Sequence, residues 1–235
     1  MQLLAGVDGC SGGWLCITKD FASGTIGSAV YSDAVALIHQ KPQPFIIAVD
    51  IPIGLTDLGP RQCDKLARQL LGEPRRRSVF PAPIRSALSA RTRLEAEALT
   101  READGRGVGA QAWGLYEKIR DIDSILRDNP TLQNTVREVH PELSFMAWNG
   151  GEAIAAGKKT FEGMTVRLSL VKSNFGKEAY RMTREGHPPG IVSDDDINDA
   201  FAALWTAERI HTGTAVVIPD SPETDSFGLR MEMWY

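Results

Sequence analysis

The sequence contains few cysteines and no long apolar run. Cys10, Cys16 and Cys63 are odd in number and lack CxxC spacing, so they indicate neither a disulfide framework nor a zinc site. No apolar stretch approaches the roughly 18–20 residues of a membrane span, and the N-terminal residues lack the basic and apolar regions of a signal peptide. These absences argue against a membrane partner and predict a soluble protein of the reducing cytoplasm.

The chain also lacks a large net charge of either sign. The formal net charge is −4, which by itself argues against a nucleic-acid partner. However, residues 61–93 carry nine basic and two acidic side chains, a local charge of +7, which leaves −11 on the rest of the chain. A basic segment beside an acidic site suits a polyanionic substrate. A solvated, arginine-rich helix and loop is the other interpretation of this segment.

Two short apolar runs each end on an aspartate. Residues 3–7 precede Asp8, and residues 46–49 precede Asp50, after which Pro52 stops the run. Runs of this kind predict buried strands of a parallel or mixed sheet, and ligands bind at the carboxyl ends of such strands. Two neighbouring carboxylates repel unless a cation lies between them, and a divalent metal is the usual cation.

The predicted elements follow the order strand, strand, strand, helix, strand, and then several helices and a further strand. Strands are predicted at 3–8, 14–17, 25–31, 46–50 and 136–142, with closing strands at 215–218 and 228–235. Helices are predicted from Ser32 or Asp33, and at 60–72, 92–102, 111–127 and 193–211, while 158–167 is a polar loop or the start of a helix. Because no repeat or low-complexity linker interrupts the chain, we expect one α/β domain over 1–235 with a helical, basic insertion at about 57–130.

Two further aspartates lie three residues apart on the last predicted helix, and therefore on one face. Asp196 completes a capping box with Ser193, which explains it as well as a functional role does. Asp199 lies beyond the first turn, where effects of the helix dipole fade. The small residues 200–203 next to it predict close packing of the helix on the sheet. We therefore expect Asp199 to belong to the site.

A second acidic group surrounds His140. Glu138 and Glu142 flank it near the end of a predicted strand, and either is a candidate further ligand, with Glu138 preferred. His140 is a candidate proton shuttle near neutral pH. A polar residue before a prolyl turn is an equally good explanation of each.

Three or four carboxylates around Mg²⁺ or Mn²⁺ have a known chemical use. Two such ions activate water and stabilise the leaving oxygen of a phosphoryl displacement. The predicted catalytic residues are Asp8, Asp50, Glu138 and Asp199, and the predicted metal ligands are Asp8, Asp50, Asp196 and Asp199. The predicted substrate-binding residues are Arg75, Arg76, Arg77, Lys158, Lys159 and Arg167.

Motifs along nearly the whole chain resemble the predicted ribonuclease H-like nuclease family, a widespread domain-of-unknown-function group. They are Val7-Asp8-Gly9-Cys10 with Gly12-Gly13-Trp14, Asp50-Ile51-Pro52-Ile53-Gly54-Leu55, Arg61-x-Cys63-Asp64 with Ala67-Arg68, Ser78-Val79-Phe80-Pro81-Ala82-Pro83, Gln111-Ala112-Trp113, Glu138-Val139-His140-Pro141-Glu142, Lys158-Lys159-Thr160 and Gly228-Leu229-Arg230-Met231. The Asp196-x-x-Asp199 pair is also similar to the helical acid pair of Holliday-junction resolvases. The chain departs from the common Asp-Ala-Leu pattern at Asp199-Ala200-Phe201, on the apolar side only.

The resemblance implies a mixed five-stranded sheet with flanking helices and a metal-dependent nuclease or phosphodiesterase acting on RNA or DNA. Because a fold does not fix a function, two alternatives stay open. One is a nucleotide-binding ATPase or sugar-kinase relative, whose phosphate loop would be residues 8–13, although the chain is short for the two halves of such enzymes. The other is a non-catalytic module that binds a metal or nucleic acid.

Overall fold

The fold is built on a mixed five-stranded sheet, described in a computed structural model that covers residues 2–235. The strands are β1 (Leu3–Cys10), β2 (Gly13–Asp20), β3 (Ile26–Tyr31), β4 (Ile46–Val49) and β5 (Val136–Glu138), in the spatial order β3-β2-β1-β4-β5. The first three strands pair antiparallel, whereas β4 is parallel to both β1 and β5. This arrangement confirms the expected α/β class and sheet.

Helices occupy the connections and cover both faces of the sheet. They are α1 (Ala34–Ile38), α2 (Gln62–Arg75), α3 (Arg93–Asp104), α4 (Ala110–Gly114), α5 (Tyr116–Asp128), α6 (Pro141–Trp148), α7 (Phe161–Phe175), α8 (Lys177–Gly186) and α9 (Asp194–Thr212). A small antiparallel pair, β6 (Val217–Ile218) and β7 (Met233–Trp234), follows α9. Helices α2 to α5 fill the segment where a helical insertion is predicted. Within residues 2–235, no helix is both long and apolar enough to cross a membrane.

Several elements differ from the sequence-based prediction: the helix predicted over 111–127 is divided into α4 and α5, and both closing strands are shorter than predicted. One further boundary differs because proline starts helices as readily as it ends strands. The strand predicted over 136–142 ends at Glu138, and Pro141 is the first residue of α6. Helix α2 begins at Gln62 and not at Pro60 as predicted. Its regular turns end at the predicted Gly72, where φ is +57°.

Helix α7 begins within 158–167, where the sequence indicated only a polar loop or the start of a helix, and α8 follows in a segment for which no element was predicted. The buried face of α7 contains Gly163 and Arg167 beside Val171. A glycine and a charged residue on the buried face interrupt the apolar periodicity by which a helix is predicted.

Helix α9 packs against β1 at a position that only glycine allows. A Cβ atom on Gly6 would lie 2.1 Å from the backbone nitrogen of Leu204 and 2.2 Å from the carbonyl oxygen of Ala200. The side chains of successive strand residues alternate between the two faces, so Gly6 and Asp8 share the face that α9 covers. The predicted close packing of the last helix thus brings the first turns of α9 to the end of β1.

Candidate functional site

Three aspartates from separate elements line one cleft at the carboxyl end of the parallel strands. Asp8 lies near the end of β1, Asp50 directly follows β4, and Asp199 lies on α9. The Asp50 backbone N–H donates to the carbonyl of Val7 at 3.0 Å, so the two strand ends are held side by side. The cleft has a volume of about 580 Å³, within the range of small-molecule binding sites.

The carboxylates of Asp8 and Asp50 have no protein partner. Among residues 2–235, no side chain or backbone group donates a hydrogen bond to them or forms an ion pair with them. Burial, followed by repulsion from Asp199, raises the pKa of Asp50 to about 8. The same two causes raise the pKa of Asp8 well above its ordinary value. The site therefore disfavours ionisation of both acids, which a bound cation would reverse.

Lys158 supplies the cation closest to these acids. Its Nζ lies 2.7 Å from Oδ2 of Asp199 and 3.9 Å from Oδ2 of Asp195. Burial raises the pKa of Asp199 to about 6, and the ammonium of Lys158 opposes that rise. Although burial disfavours its charge, the pKa of Lys158 is raised because Asp199 and Asp8 attract the proton. Lys158 thus contacts the site's own acid, whereas the sequence predicts that it binds substrate phosphate.

The three carboxylates fit a hard divalent cation by their chemistry. Mg²⁺ and Mn²⁺ prefer oxygen ligands, and Mg²⁺ usually keeps several waters and takes only one or two carboxylates. In the described part of the chain, the oxygens of Asp8, Asp50 and Asp199 do not all lie within 4.8 Å of one another. As placed, the three carboxylates cannot all contact one ion, so a single ion would be held by fewer of them and by water.

Asp196 lines the same cleft but is engaged in capping α9. Its side chain accepts the Ser193 N–H at 2.8 Å, while its own N–H donates to the Ser193 hydroxyl at 3.2 Å. The capping box expected from the sequence is present. The predicted role of Asp196 as a metal ligand stays a prediction.

Glu138 lies on the other face of the sheet, away from α9. Val136, two residues before Glu138 and therefore on the same face of the strand, packs in the core opposite α9. Val139, which follows Glu138, packs in the core on the α9 side. The carboxylate of Glu138 accepts from both terminal nitrogens of Arg61, at 2.7 and 2.6 Å, and from the Ile53 N–H at 2.6 Å. Burial raises the pKa of Glu138 to about 7 in spite of Arg61. These contacts argue against its predicted role as a catalytic residue and favour a positioning role.

A second group of possible metal ligands surrounds Arg61. Atoms of Cys63, Asp64 and Glu138 lie within 4.8 Å of one another and all are buried. The Arg61 guanidinium lies 2.6 Å from both carboxylates, and burial raises the pKa of the Cys63 thiol. The position of a cation is therefore already taken by an arginine, and the thiol is protonated at neutral pH.

The cations predicted to bind substrate are divided between buried ion pairs and the surface. Arg167 is fully buried, where it donates to both oxygens of Glu142 at 2.9 and 2.7 Å, and Arg75 donates to the same carboxylate at 2.9 Å. This burial corrects the expectation that Arg167 contacts substrate. Arg76 and Arg77 are exposed, and of these two only Arg77 lines the cleft.

The remaining predicted positions, Lys159 and His140, differ in their relation to the cleft. Lys159 is exposed and lies outside it, unlike its neighbour Lys158. His140 lines the cleft, its Nε2 lies 3.4 Å from the Ser78 carbonyl oxygen, and burial lowers its pKa. A neutral His140 is therefore expected at pH 7.

Two cleft residues have no role in the sequence-based site. Lys118 lies over the Trp14 ring and donates to the Gly13 carbonyl, and Arg61 holds the buried acids described above. For Arg61 the signal was present, since Arg61 and Asp64 are three residues apart at the start of α2. For Lys118 nothing in the α5 pattern distinguishes it from a surface lysine.

Comparison with known proteins identifies a family. The family model described as "Protein of unknown function (DUF429)" matches residues 6–224. Since this match spans most of the chain, the protein belongs to that family. No curated protein and no solved structure matches the chain. The ribonuclease H-like part of the resemblance stays a prediction.

Proposed function

We propose that this protein is a metal-dependent phosphodiesterase that hydrolyses nucleic acid, with Mg²⁺ or Mn²⁺ held by Asp8, Asp50 and Asp199. One observation carries the proposal: two half-buried carboxylates, which accept no hydrogen bond and form no ion pair within residues 2–235, lie side by side on parallel strands, next to a third on α9. Acids that repel each other are costly to ionise without a close cation. A site that binds cations explains why the chain keeps them.

The charge of the cleft supports a sequence in which the cation binds before the substrate. Seven acidic and five basic side chains line the cleft, so with all of them ionised its charge is −2. A cleft without net positive charge attracts a phosphodiester, which carries a negative charge, only weakly. Two divalent cations would reverse the sign of the cleft, which makes anion binding dependent on metal.

The chain's own residues supply orientation and charge for this chemistry. When bound, the metal ions would activate water and stabilise the leaving oxygen of a displacement at phosphorus. Asp8, Asp50 and Asp199 hold the cations, and the packing of α9 on Gly6 fixes the third acid relative to the other two. Lys158 and Arg77 are cations at the cleft that can contact a phosphate oxygen.

The ATPase or kinase alternative needs an open phosphate loop between β1 and β2. Here Ser11 and Gly12 form a tight turn between the paired residues Cys10 and Gly13. The Ser11 hydroxyl donates to carbonyls at Gly190 and Ile191, and a Cβ on Gly12 would lie 2.6 Å from the Ile191 side chain. The turn is thus covered by another loop, which favours the phosphodiesterase.

The test is a cleavage assay on labelled RNA, DNA and hybrid with Mn²⁺, using the wild type, Asp50→Asn and Asp128→Asn. Asp128 is an exposed acid at the end of α5, distant in sequence from the site, and serves as the matched control. We expect cleavage by the wild type and Asp128→Asn and a loss of at least about 100-fold in Asp50→Asn. Cleavage that survives in Asp50→Asn, or no cleavage of any polymer by the wild type, would contradict the proposal.

A further inference from the structure

We infer that the substrate is a short single-stranded segment, with one phosphodiester and about one nucleoside on either side of it in the cleft, rather than a duplex tract. A free dinucleotide and part of a longer strand both present this phosphodiester with its flanking nucleosides. This inference rests on the proposed function and names the class of nucleic acid on which that site acts. It departs from the expectation that the basic segment 61–93 binds an extended polyanion.

Most cations of segment 61–93 already have partners within the protein. Six of the nine lie within 4.0 Å of a carboxylate: Arg61, Arg75, Arg76, Arg77, Arg85 and Arg93. A seventh, Arg68, donates through two nitrogens to the Val79 carbonyl at 3.1 and 2.8 Å. Four of these cations, Arg61, Arg75, Arg85 and Arg93, pair with acids from other segments, whereas Arg76 and Arg77 share the exposed Glu73 of the same segment. Paired cations attract a polyanion more weakly than free ones, so acids from other segments balance part of the local charge of +7.

The two cations without such partners in the described chain do not extend the cleft. Lys65 and Arg91 are exposed, and neither lines the cleft. On the side of α9, the rim of the cleft carries Asp196, with Asp194 and Asp195 beside it. A duplex would need a track of cations along both backbones, and the acidic rim on the α9 side does not provide one there.

The cleft offers one exposed cation for a phosphate and one exposed aromatic ring for a base. Its volume of about 580 Å³ lies in the range of small-molecule sites. Arg77 lies in the wall of the cleft, and its side chain is 83% exposed. Its carboxylate partner, Glu73, is as far as 4.0 Å away. Phe80 in the same wall is 39% exposed, and an exposed aromatic ring can stack on one base of any sequence.

A length series tests the inference directly. Labelled single strands of 2, 4, 8 and 16 nucleotides and a 16-base-pair duplex are compared at saturating Mn²⁺ by kcat/KM. We expect kcat/KM to reach a plateau by four nucleotides and to be at least about tenfold lower on the duplex. We also expect log kcat/KM to fall with log salt with a slope no steeper than about −1.5, which corresponds to two phosphates. Values that rise beyond eight nucleotides, or a slope steeper than about −4, would overturn the inference.

Two arginines from the same basic segment provide matched variants. Arg77→Gln should lower kcat/KM about tenfold on every length, while Arg91→Gln should leave it unchanged on every length. Phe80→Ala should lower it by about 5- to 150-fold if one base stacks there. A loss in Arg91→Gln that grows with strand length is the signature of a polyanion track and contradicts a short substrate.

The outcomes separate this inference from the proposed function. Cleavage that depends on Asp50 but increases with length or prefers duplex refutes the short substrate and leaves the phosphodiesterase standing. No cleavage of any length, although Mn²⁺ binds the wild type, refutes both. The dinucleotide arm shows whether the free compound is a substrate by itself or needs the context of a strand.

Discussion

Two groups of acids at the same end of the sheet differ in their partners. On the α9 face, Asp8 and Asp50 have no partner within residues 2–235, and Asp199 has only Lys158. On the opposite face, Asp64 and Glu138 are both held by Arg61 at 2.6 Å. Both groups are close to the cleft, and both contain carboxylates that burial affects. Only the first lacks internal compensation.

The difference teaches that an acid's partners indicate its role better than its position does. A buried carboxylate that is paired with an arginine and backbone N–H groups is already satisfied and stabilises the fold around it. A carboxylate without partners is destabilising until a ligand binds. By this criterion the Arg61 group is structural, and the unpaired Asp8 and Asp50 are the better candidates for function, while Asp199 is shared between Lys158 and the proposed site.

Loss of Arg61 should produce the largest effect on stability. Arg61→Met leaves Asp64 and Glu138 without their cation, and breaking a buried ion pair from one side costs about 3–5 kcal/mol. Urea unfolding at pH 7 measures the free energy of unfolding. The control Arg76→Met removes an exposed pair and should change it by less than about 1 kcal/mol. Equal effects of the two variants would contradict the structural role of Arg61.

Removing the charge of Asp50 on the α9 face should raise the free energy of unfolding, whereas the loss of Arg61 should lower it. The pKa of Asp50 is about 8 in the folded protein against about 3.9 in an unfolded chain. Between these pH values the folded protein binds more protons, so the free energy of unfolding falls as the pH rises. Without metal at pH 8, Asp50→Asn should therefore stabilise the protein by at least about 1.4 kcal/mol, the equivalent of one pKa unit.

The pH profile of unfolding, measured with chelator present, checks that sign. The stability of the wild type should decline from about pH 4 to pH 8, and Asp50→Asn should flatten the decline. Added Mn²⁺ should restore the free energy of unfolding of the wild type at pH 8 but should not increase that of Asp50→Asn. A variant that is less stable than the wild type at pH 8 without metal would show that Asp50 is a structural acid.

Much of the site was predictable because it depends on local patterns. The apolar runs before Asp8 and Asp50 predict parallel strands that end together, and the small residues after Asp199 predict the close packing of α9. The position of Glu138 was not predictable in this way. A shift of one residue in the register of β5 decides whether Glu138 or Val139 faces α9, and neither the apolar pattern nor the following proline fixes that register.

Ion pairs between distant segments were also not predictable from the sequence. Arg75 and Arg167 meet on Glu142, from helices α2, α7 and α6. Which basic residues become buried depends on how these helices pack, and composition reports only the total charge. For this reason the sequence overstated the free positive charge of segment 61–93.

A smaller effect should follow from releasing Asp199. Lys158→Ala removes the cation that competes with a metal for Asp199 and should tighten Mn²⁺ binding about tenfold, or about 1.4 kcal/mol. Lys159→Ala is the matched control, because Lys159 is exposed and outside the cleft. Calorimetric titration with Mn²⁺ distinguishes them. Weaker binding in Lys158→Ala would mean that the lysine organises the acids rather than competing for them.

The smallest effect is expected at Asp196, an acid that already has partners in the cap of α9. Asp196→Ala should destabilise the protein by about 1 kcal/mol through loss of the capping box. Because the pairing of an acid indicates a structural role, Mn²⁺ affinity should change by less than the effect of Lys158→Ala. A loss of Mn²⁺ binding as large as that in Asp50→Asn would make Asp196 a ligand in spite of its cap.

The most direct measurement is the location of Mn²⁺ by anomalous diffraction from crystals grown with the ion. The account predicts a peak beside the carboxylates of Asp8, Asp50 and Asp199 that is absent from crystals of Asp50→Asn. A peak at Cys63, Asp64 and Glu138 instead, or none at either group, would contradict the assignment of the unpaired acids to function.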